Sequence, residues 1–451
     1  MTISEEIIYG KTLLNKGQYE AALKSFQNIL NGNELNYQVL NYTAITYSML
    51  KEYDKAIEML YKAINSNPSL PNAFLNLAII LFEKGEREGS LNYYKKVIEL
   101  DPDNTTAYYN YAVALEELNR YDEAIINYEK AIAKNENNFS AYYNWGTLNL
   151  LLGNYKDGWK GYEYRTKASV LRKRDMPGKK WNGENIEDKS LYIYSDQGFG
   201  DTIQFFRFLP VIKEKVGKLI FECQPALFQL LKEYPMYDEI VQMDKSLKPV
   251  VDYDYYLPIT SLGKILNIDE NFTFWEKPYI AVDKSDSNKW MDIFSNTDKK
   301  KVGIVWRSNS NYKFENRRAI SLSALKEIFA KNGIEWFSLQ MEPTIEELQI
   351  LNKYNIKDLS HYINNFKDTA EIIEQLNLII STDTAVPHLA GAMGKEVWLM
   401  LSNKPDWRWQ LNKSDSVWYP SFKLFRQKEN WDNVINTIKA RLKTDKQSRN
   451  L

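Results

Sequence analysis

The sequence predicts an α plus α/β protein in which a helical superhelix precedes two domains built on mainly parallel sheets. Residues 3–168 repeat with a period of 34. Residues 190–282 and 283–429 each alternate between short apolar strands and helical segments, which is typical of parallel α/β sheets. The polar residues 169–189 are expected to form a linker, and residues 430–451 a C-terminal helix with a polar tail.

The repeats form about five consecutive frames without an insertion. The frames begin at Ile3, Tyr37, Pro71, Thr105 and Phe139. A small residue stands at one shared position in each frame, namely Ala22, Ala56, Ser90, Ala124 and Gly158. Because a small side chain lets two antiparallel helices approach closely, this spacing predicts stacked helical hairpins. The pattern resembles the tetratricopeptide repeat, a fold that recruits proteins and seldom does chemistry.

Three asparagines recur at the repeat period in the first helix of a frame. They are Asn76, Asn110 and Asn144. One interpretation is that they cap or bridge neighbouring repeats. The resemblance implies another, because asparagines at such positions in this repeat family often bind the backbone of an extended peptide. The expected partner is a protein or peptide client in the concave groove.

Composition and charge narrow the class of protein. Lysine plus arginine (58) nearly equals aspartate plus glutamate (59), so no overall field attracts nucleic acid or an anionic membrane. The residues from Met1 lack the basic start and apolar core of a signal peptide, and no window reaches the roughly 20 apolar residues of a membrane span. We therefore expect a cytoplasmic protein. One cysteine, Cys223, and two histidines, His361 and His388, disfavour a zinc site built from His and Cys, whereas magnesium bound by carboxylates stays open.

A glycine turn follows the first strand of the first α/β domain. Gly198 and Gly200 allow the backbone to bend sharply and to approach a ligand, and a helix starts there with unpaired N–H groups. Asp201 lies in the first turn of that helix. Its carboxylate is either a helix cap or a group that takes a proton from a substrate.

The same turn partly matches a dinucleotide-binding fingerprint. Glu222, at the end of the next strand, fits the acid that binds a ribose. The fingerprint requires a third glycine where Ile203 stands, and an acidic side chain repels a pyrophosphate. A nicotinamide enzyme is therefore an alternative that the sequence disfavours.

Two strand ends of the second α/β domain predict anion sites. Residues 306–318 combine cations, hydroxyls and amides, a mixture that suits phosphate recognition. At residues 381–393 a strand runs into a helix whose start holds Asp383, Thr384 and His388, where the helix dipole favours an anion. The basic residues of the linker are expected to form a solvated face rather than a ligand contact. These are Arg172, Lys173, Arg174, Lys179 and Lys180.

Taken together, the two α/β domains resemble the bacterial heptosyltransferase-type glycosyltransferases. The resemblance is greatest to the branch in which tetratricopeptide repeats precede the transferase, and it covers nearly the whole chain. The motifs that carry it are residues 197–207 (QGFGDTIQFFR), 303–306 (GIVW), 338–340 (SLQ), 368–369 (DT), 381–391 (STDTAVPHLAG), 406–409 (DWRW), 418–420 (WYP) and 424–426 (LFR). The resemblance implies the GT-B fold, a pair of Rossmann-like domains with a C-terminal helix that crosses back to brace the first.

The resemblance also implies an inverting, metal-independent sugar transfer that needs no cofactor, with a nucleotide-sugar donor as the substrate. Asp201 matches the family's candidate general base. The residues that match its donor site are Arg307 and Arg317 for phosphate, Gln340 near the nucleoside base, and Asp383, Thr384 and His388 for the sugar and diphosphate. Two features depart from the family pattern, namely the loop that follows Trp306 and the residue Asn377. They leave the identity of the donor open.

The fused repeats imply that the acceptor is Ser or Thr of a bacterial protein client such as flagellin or an adhesin. The alternative is a catalytically inactive scaffold, in which repeats and a degenerate transferase domain only bind partners. Retention of Asp201, Arg307, Asp383, Thr384 and His388 together disfavours the scaffold.

Overall fold

A computed structural model provides the structure of the chain. It describes residues 2–32, 36–170, 174–269, 272, 277–283, 289–290, 292–294, 298–308, 315–330 and 333–444. Arg172 and Lys173 of the predicted basic linker, most of the predicted phosphate loop (309–314) and the predicted polar tail (445–451) lie outside these residues. Internal contacts divide the chain into two units, Met1–Leu148 and Asn149–Leu451.

The first unit is a tetratricopeptide-type stack of helical hairpins. Its helices are α1 (Ile3–Asn15), α2 (Tyr19–Gly32), α3 (Tyr37–Met49), α4 (Tyr53–Ser66), α5 (Pro71–Lys84), α6 (Arg87–Leu100), α7 (Thr105–Glu117), α8 (Tyr121–Lys134) and the start of α9 (Phe139–Leu152). Each predicted frame begins at the first residue of an odd-numbered helix. The 34-residue period therefore fixes the boundaries of the helices as well as their number per repeat.

Packing in this unit follows the small-residue positions. Ala22, Ala56 and Ala124 are fully buried, and the apolar side chain four places later, such as Phe26 or Leu60, is fully buried as well. A small side chain at this point brings the paired helices close, and the larger neighbour fills the space between them.

The second unit begins at Asn149, within α9, and continues with α10 (Tyr155–Tyr162) and the 3-10 turn Glu163–Arg165. The predicted repeat boundary at residue 168 lies 20 residues beyond the division at Leu148. The difference has a physical cause in Trp159. Its indole N–H donates to the Ile268 carbonyl at 2.7 Å, and its ring packs against the Cα of Gly263. These contacts tie α10 to the α/β unit.

The first sheet of this unit has parallel strands in the order β1-β5-β2-β3-β4. Its elements are β1 (Lys179–Lys180), β2 (Ile186–Tyr194), α11 (Phe199–Phe206), α12 (Leu209–Lys213), β3 (Val216–Cys223), α13 (Pro225–Leu231), β4 (Glu239–Gln242), β5 (Tyr255–Pro258) and α14 (Leu262–Ile265). β1 lies inside the predicted linker and pairs with β5, so part of the linker belongs to the sheet.

The second sheet is also parallel, in the order β11-β10-β9-β6-β7-β8. Its elements are β6 (Lys300–Val305), α15 (Glu315–Arg318), α16 (Lys326–Phe329), β7 (Ile334–Ser338), α17 (Ile345–Lys353), β8 (Lys357–Asp358), α18 (Phe366–Gln375), β9 (Leu378–Thr382), α19 (Ala385–Ala392), β10 (Val397–Leu401), β11 (Phe422–Arg426) and α20 (Asp432–Thr444). Two parallel α/β sheets in tandem agree with the predicted fold class at this level.

The described part of the C-terminal helix packs on the second sheet, whereas the resemblance implied a helix that crosses back to the first. The buried face of α20, which includes Val434 and Ile438, packs in one core with Trp398 of β10 and Ile328 of α16. The described part of α20 therefore covers the second sheet. Its apolar residues complete that core, where burying each side chain stabilises the fold by about 1.5–3 kcal/mol.

Candidate functional site

Two helix starts face each other in the α/β unit. α11 follows β2 and α19 follows β9, and Gly200 of α11 lies against the His388 ring of α19. A Cβ atom at Gly200 would lie 2.7 Å from His388 Cδ2, which is too close for two carbon atoms. The absence of a side chain at Gly200 therefore sets the separation of the two helices. The ends of parallel strands where helices begin are the usual place for a ligand in such folds.

Asp201 is both a helix cap and one member of an ion pair. Its Oδ2 accepts a hydrogen bond from the Gly198 N–H at 3.0 Å, and its Oδ1 accepts one from Arg408 Nη2. The side chain keeps 15% of its exposure. Burial raises the pKa of Asp201 above its ordinary value, although Arg408 opposes the shift. The geometry thus contains the predicted cap and leaves a carboxylate with increased proton affinity at the helix start.

Arg408 is a site residue that sequence reasoning passed over. It lies in the 3-10 helix Trp407–Trp409, and its guanidinium stacks on the Trp407 ring, 4.5 Å from its centroid. Besides Asp201, it donates to Gln204 and, at 2.6 Å, to Asp406 Oδ1. The motif at residues 406–409 contributed to the family resemblance but predicted no role for Arg408. Its partner Asp201 lies 207 positions away in the chain, and so distant a partner leaves no local sequence pattern.

Arg318 extends this ion pair into an alternating row of charges. Its Nη1 lies 3.2 Å from Asp383 Oδ2, and its Nη2 lies 3.4 Å from Asp406 Oδ2. Burial alone would raise the pKa of Asp383, yet Arg318 and His388 hold it well below its ordinary value. Asp383 is therefore ionised at neutral pH. Arg318 keeps 22% of its side-chain exposure, so this side chain is partly accessible to solvent.

His388 is buried at the start of α19. Its Nδ1 lies 3.0 Å from the Tyr419 hydroxyl, and its Nε2 lies 3.8 Å from Asp383 Oδ1. The ring packs against Trp409, with 5.3 Å between centroids. The predicted group of Asp383, Thr384 and His388 is thus brought together with Arg318 and Asp201.

Several buried polar atoms around these helices have no hydrogen-bond partner within the described part of the chain. They are Gln204 Nε2, Thr382 Oγ1, Thr384 Oγ1 and Trp409 Nε1. Thr382 ends β9 and Thr384 is the residue before α19, so both hydroxyls lie at the predicted anion site. A buried polar atom without a partner costs about 1–3 kcal/mol. Such atoms indicate a place where a ligand or water completes the hydrogen bonding.

Two other predicted donor-site residues, Arg307 and Gln340, are engaged in local structure. Arg307 Nη2 donates to Glu347 Oε2 at 3.0 Å and to the Glu342 carbonyl at 2.7 Å. The Gln340 side chain accepts from the backbone N–H groups of Trp306, at 3.3 Å, and Arg307, at 3.1 Å. These contacts join the ends of β6 and β7. Arg317 is exposed on α15, next to Arg318.

Glu222 cannot serve as a ribose acid in this arrangement. It is fully buried, and Arg174 donates to its two carboxylate oxygens at 2.6 and 2.9 Å. Tyr192 adds a third hydrogen bond at 2.7 Å. The geometry thus removes the structural basis of the nicotinamide alternative. The expectation that Arg174 belongs to a solvated face is wrong, because its guanidinium pairs with the buried carboxylate of Glu222. In the same stretch Lys179 is exposed, and Lys180 pairs with Glu163 at 2.6 Å.

In the repeat unit, two of the three predicted client-binding asparagines make contacts between repeats. Asn76 Nδ2 donates to Asn41 Oδ1 at 2.9 Å, and Asn144 Nδ2 lies 3.3 Å from the Tyr109 hydroxyl. Asn76, Asn110 and Asn144 are all partly exposed. The bridging interpretation therefore has direct contacts for Asn76 and Asn144, while client binding stays a prediction for all three.

The described residues contain neither a group of metal ligands nor a membrane-spanning helix. No group of three or more His, Cys, Asp or Glu side chains there could hold a metal ion. Over the same residues, no helix combines the length and apolar character needed to cross a membrane.

Comparison with known proteins identifies the repeats of the first unit. The family model for the tetratricopeptide repeat matches residues 10–71 and 75–139. The amino-terminal region is a tetratricopeptide-repeat array. Solved structures similar to the chain include MamA, at 22% identity over 38% of this chain and 94% of MamA (TM-score 0.32), and YrrB, described as a TPR protein with an unusual peptide-binding site. YrrB is 21% identical over 37% of this chain and 84% of its own length, with a TM-score of 0.29.

One curated relative extends beyond the tetratricopeptide repeats. Protein FlbA of Caulobacter vibrioides is 24% identical to the chain over 329 residues, which are 66% of this chain and 54% of FlbA. The chain therefore spans about half the length of that relative.

Proposed function

We propose that the α/β unit is an inverting glycosyltransferase of the GT-B type. In this proposal the donor is a nucleotide-sugar, and the acceptor is a Ser or Thr hydroxyl of a protein client recruited by the tetratricopeptide repeats. The observation that carries the proposal is the Asp201 carboxylate at one helix start, facing a second helix start where Arg318 and the unpartnered Thr384 hydroxyl suit an anion. A base facing an anion site is what transfer from a nucleoside diphosphate requires.

In the proposed reaction the acceptor hydroxyl attacks the anomeric carbon of the donor sugar. A new carbon–oxygen bond forms as the bond between that carbon and the diphosphate oxygen breaks, and the electron pair leaves with the nucleoside diphosphate. The hydroxyl proton passes to Asp201. Both Asp201 oxygens already accept one hydrogen bond, but each retains a second lone pair for the acceptor hydroxyl.

The departing diphosphate needs positive charge in the transition state. Arg318, the N–H groups at the start of α19 and the Thr384 hydroxyl are proposed to supply it. Arg317 is next to Arg318 and is proposed to assist. Because Arg307 is held by Glu347, its proposed contribution is to fix the end of β6 beside the donor base, together with Gln340.

A second candidate function is binding alone, with repeats and an inactive α/β unit acting as a scaffold. One observation favours it. Both oxygens of Asp201 are engaged, by Arg408 and by the Gly198 N–H, which is the arrangement of a structural cap. The two candidates differ in whether the chain turns over a donor, so a direct assay separates them.

The test uses the full chain with UDP-, GDP-, ADP- and CMP-linked sugars, first in thermal-shift experiments and then in assays of released nucleotide. Asp201→Asn is expected to lower turnover by about 10²–10⁴-fold while nucleotide still raises the melting temperature. Arg318→Ala is expected to abolish that rise. Asp415→Asn, at an exposed carboxylate paired with Lys423, is the matched control.

Two results would decide against the proposal. Near-normal turnover by Asp201→Asn would remove this residue as the base. If no nucleotide raises the melting temperature and no donor releases nucleotide, the result would favour the scaffold.

A further inference from the structure

α10 and the 3-10 turn after it contact the segment that leads into Asp201. The Tyr162 hydroxyl accepts a hydrogen bond from Gln197 Nε2, four residues before Asp201. Gln197 is also held through its carbonyl, which accepts from Gln224 Nε2 at 2.9 Å. Tyr162 is 1% exposed, so its hydroxyl is removed from solvent and fixed by this contact.

A buried ion pair holds the same turn one residue earlier. Arg165, which is 1% exposed, donates from Nε to Asp196 Oδ2 at 2.8 Å and from Nη2 to Ser261 Oγ at 2.8 Å. Asp196 Oδ1 accepts a further hydrogen bond from the Thr260 N–H at 3.2 Å. The turn before α11 is therefore fixed by α10 on one side and by the end of β5 on the other.

α10 also packs against the segment that carries the partner of Asp201. The Trp407 ring lies 5.7 Å from the Tyr162 ring and 5.3 Å from the Trp159 ring, both edge to face. Trp407 immediately precedes Arg408, whose guanidinium stacks on it. Tyr162 thus touches both sides of the ion pair, the Asp201 turn through its hydroxyl and the Arg408 segment through its ring.

We propose that Tyr162 is a positioning residue that sets the geometry of the Asp201–Arg408 pair. This inference rests on the proposed transferase function, in which Asp201 takes the acceptor proton. α10 is the second helix of the fifth predicted repeat frame, so the helix that ends the array also supports the reacting carboxylate. Removing the hydroxyl releases the Gln197 side chain and so takes away one of the contacts that hold the Asp201 turn in place beside Arg408.

The consequence for pH follows from the charges around Asp201. Burial raises the pKa of Asp201, Arg408 and His388 lower it, and Asp406 and Asp196 raise it. A looser contact with Arg408 leaves burial less opposed, so the pKa of Asp201 rises further. A general base works deprotonated, and the acidic limb of the rate profile therefore moves to higher pH.

Tyr162→Phe in the full chain tests the inference, because it keeps the ring and removes the hydroxyl. Turnover is expected to fall about tenfold while KM for the donor stays unchanged. The acidic limb of the pH profile of kcat is expected to move to higher pH. Tyr155→Phe is the matched control on the same helix, since its hydroxyl accepts a hydrogen bond from Gln410 Nε2 at 3.1 Å. It is expected to leave turnover and the acidic limb in place.

Hydrogen–deuterium exchange of the same variants supplies a readout that needs no catalysis. Tyr162→Phe should speed exchange at residues 196–203 and 407–409. Tyr155→Phe should leave exchange at residues 196–203 unchanged. Unchanged exchange in these segments, or unchanged kcat and acidic limb in an active enzyme, overturns the positioning role. A rise in KM alone also overturns it, since it assigns Tyr162 to donor binding. Absence of turnover in the wild type with the expected exchange refutes the transferase and leaves the positioning contact in place.

Discussion

Removing the charge of Arg174 should destabilise the α/β unit strongly. Glu222 is fully buried and accepts two charge-assisted hydrogen bonds from Arg174. Arg174→Met keeps an unbranched side chain but removes the guanidinium, whose carbon lies 4.5 Å from the centre of the Tyr194 ring. It leaves a buried carboxylate with Tyr192 as its remaining hydrogen-bond donor in the described residues. Breaking a buried pair in this way costs about 3–5 kcal/mol.

The assay is urea unfolding of the full chain followed by tryptophan fluorescence. Eleven of the twelve tryptophans lie after Leu148, so the signal reports mainly on the α/β unit. For slopes of about 3 kcal/mol per molar urea, the expected loss lowers the midpoint by about 1 M or more. Lys179→Met, at an exposed position of the same basic stretch, is the control and should change the stability by less than about 0.5 kcal/mol.

A double-mutant cycle gives this prediction its sharpest form. Glu222→Gln removes the buried charge, so Arg174→Met in that background should cost clearly less than in the wild type. The difference between the two costs is the coupling energy, expected at about 1.5 kcal/mol or more. Equal midpoint shifts for Arg174→Met and Lys179→Met, or additive effects in the cycle, would show that the two residues do not form a buried pair.

Two further predictions follow from close contacts and pKa shifts. Gly200→Ala should lower stability by about 1–3 kcal/mol and weaken nucleotide stabilisation, because the new methyl group meets His388 at 2.7 Å. Gly89→Ala, on a helix with open space around it, is the control in a thermal melt, and an equal effect of both would contradict the contact. Burial alone would raise the pKa of Glu163, yet Arg165 foremost holds it at about 2. The ionised Glu163 then contributes about 3 kcal/mol to the free energy of unfolding at pH values above about 4.3, and roughly half of this contribution is lost by pH 3. Urea midpoints at pH 7, 5 and 3 should therefore show the wild type losing its advantage over Glu163→Gln, and a constant gap would refute the shift.

Local patterns in the sequence predicted many of the helices and strands of this protein. The period of 34 predicted the first residue of each odd-numbered helix from α1 to α9, because a helical hairpin needs its small and large residues at fixed spacings. The glycine turn at Gly198 and the strand end before Thr384 likewise predicted that a helix follows each of them, as α11 and α19 do. Each of these features depends on residues close together in the chain.

The pairing of charged side chains was decided by the tertiary structure. Arg174, expected on a solvated face, reaches Glu222 48 positions away, and Arg307, expected at a phosphate, pairs with Glu347. Asp201 meets Arg408 across 207 positions. Such pairs form where the ends of different strands come together, and the desolvation of a buried charge then selects its partner. No local spacing records which strand ends will be neighbours. Local patterns in the sequence therefore predicted the repeat helices and the helices that follow the two strand ends, whereas only the folded chain decided how the charges of the candidate site are paired.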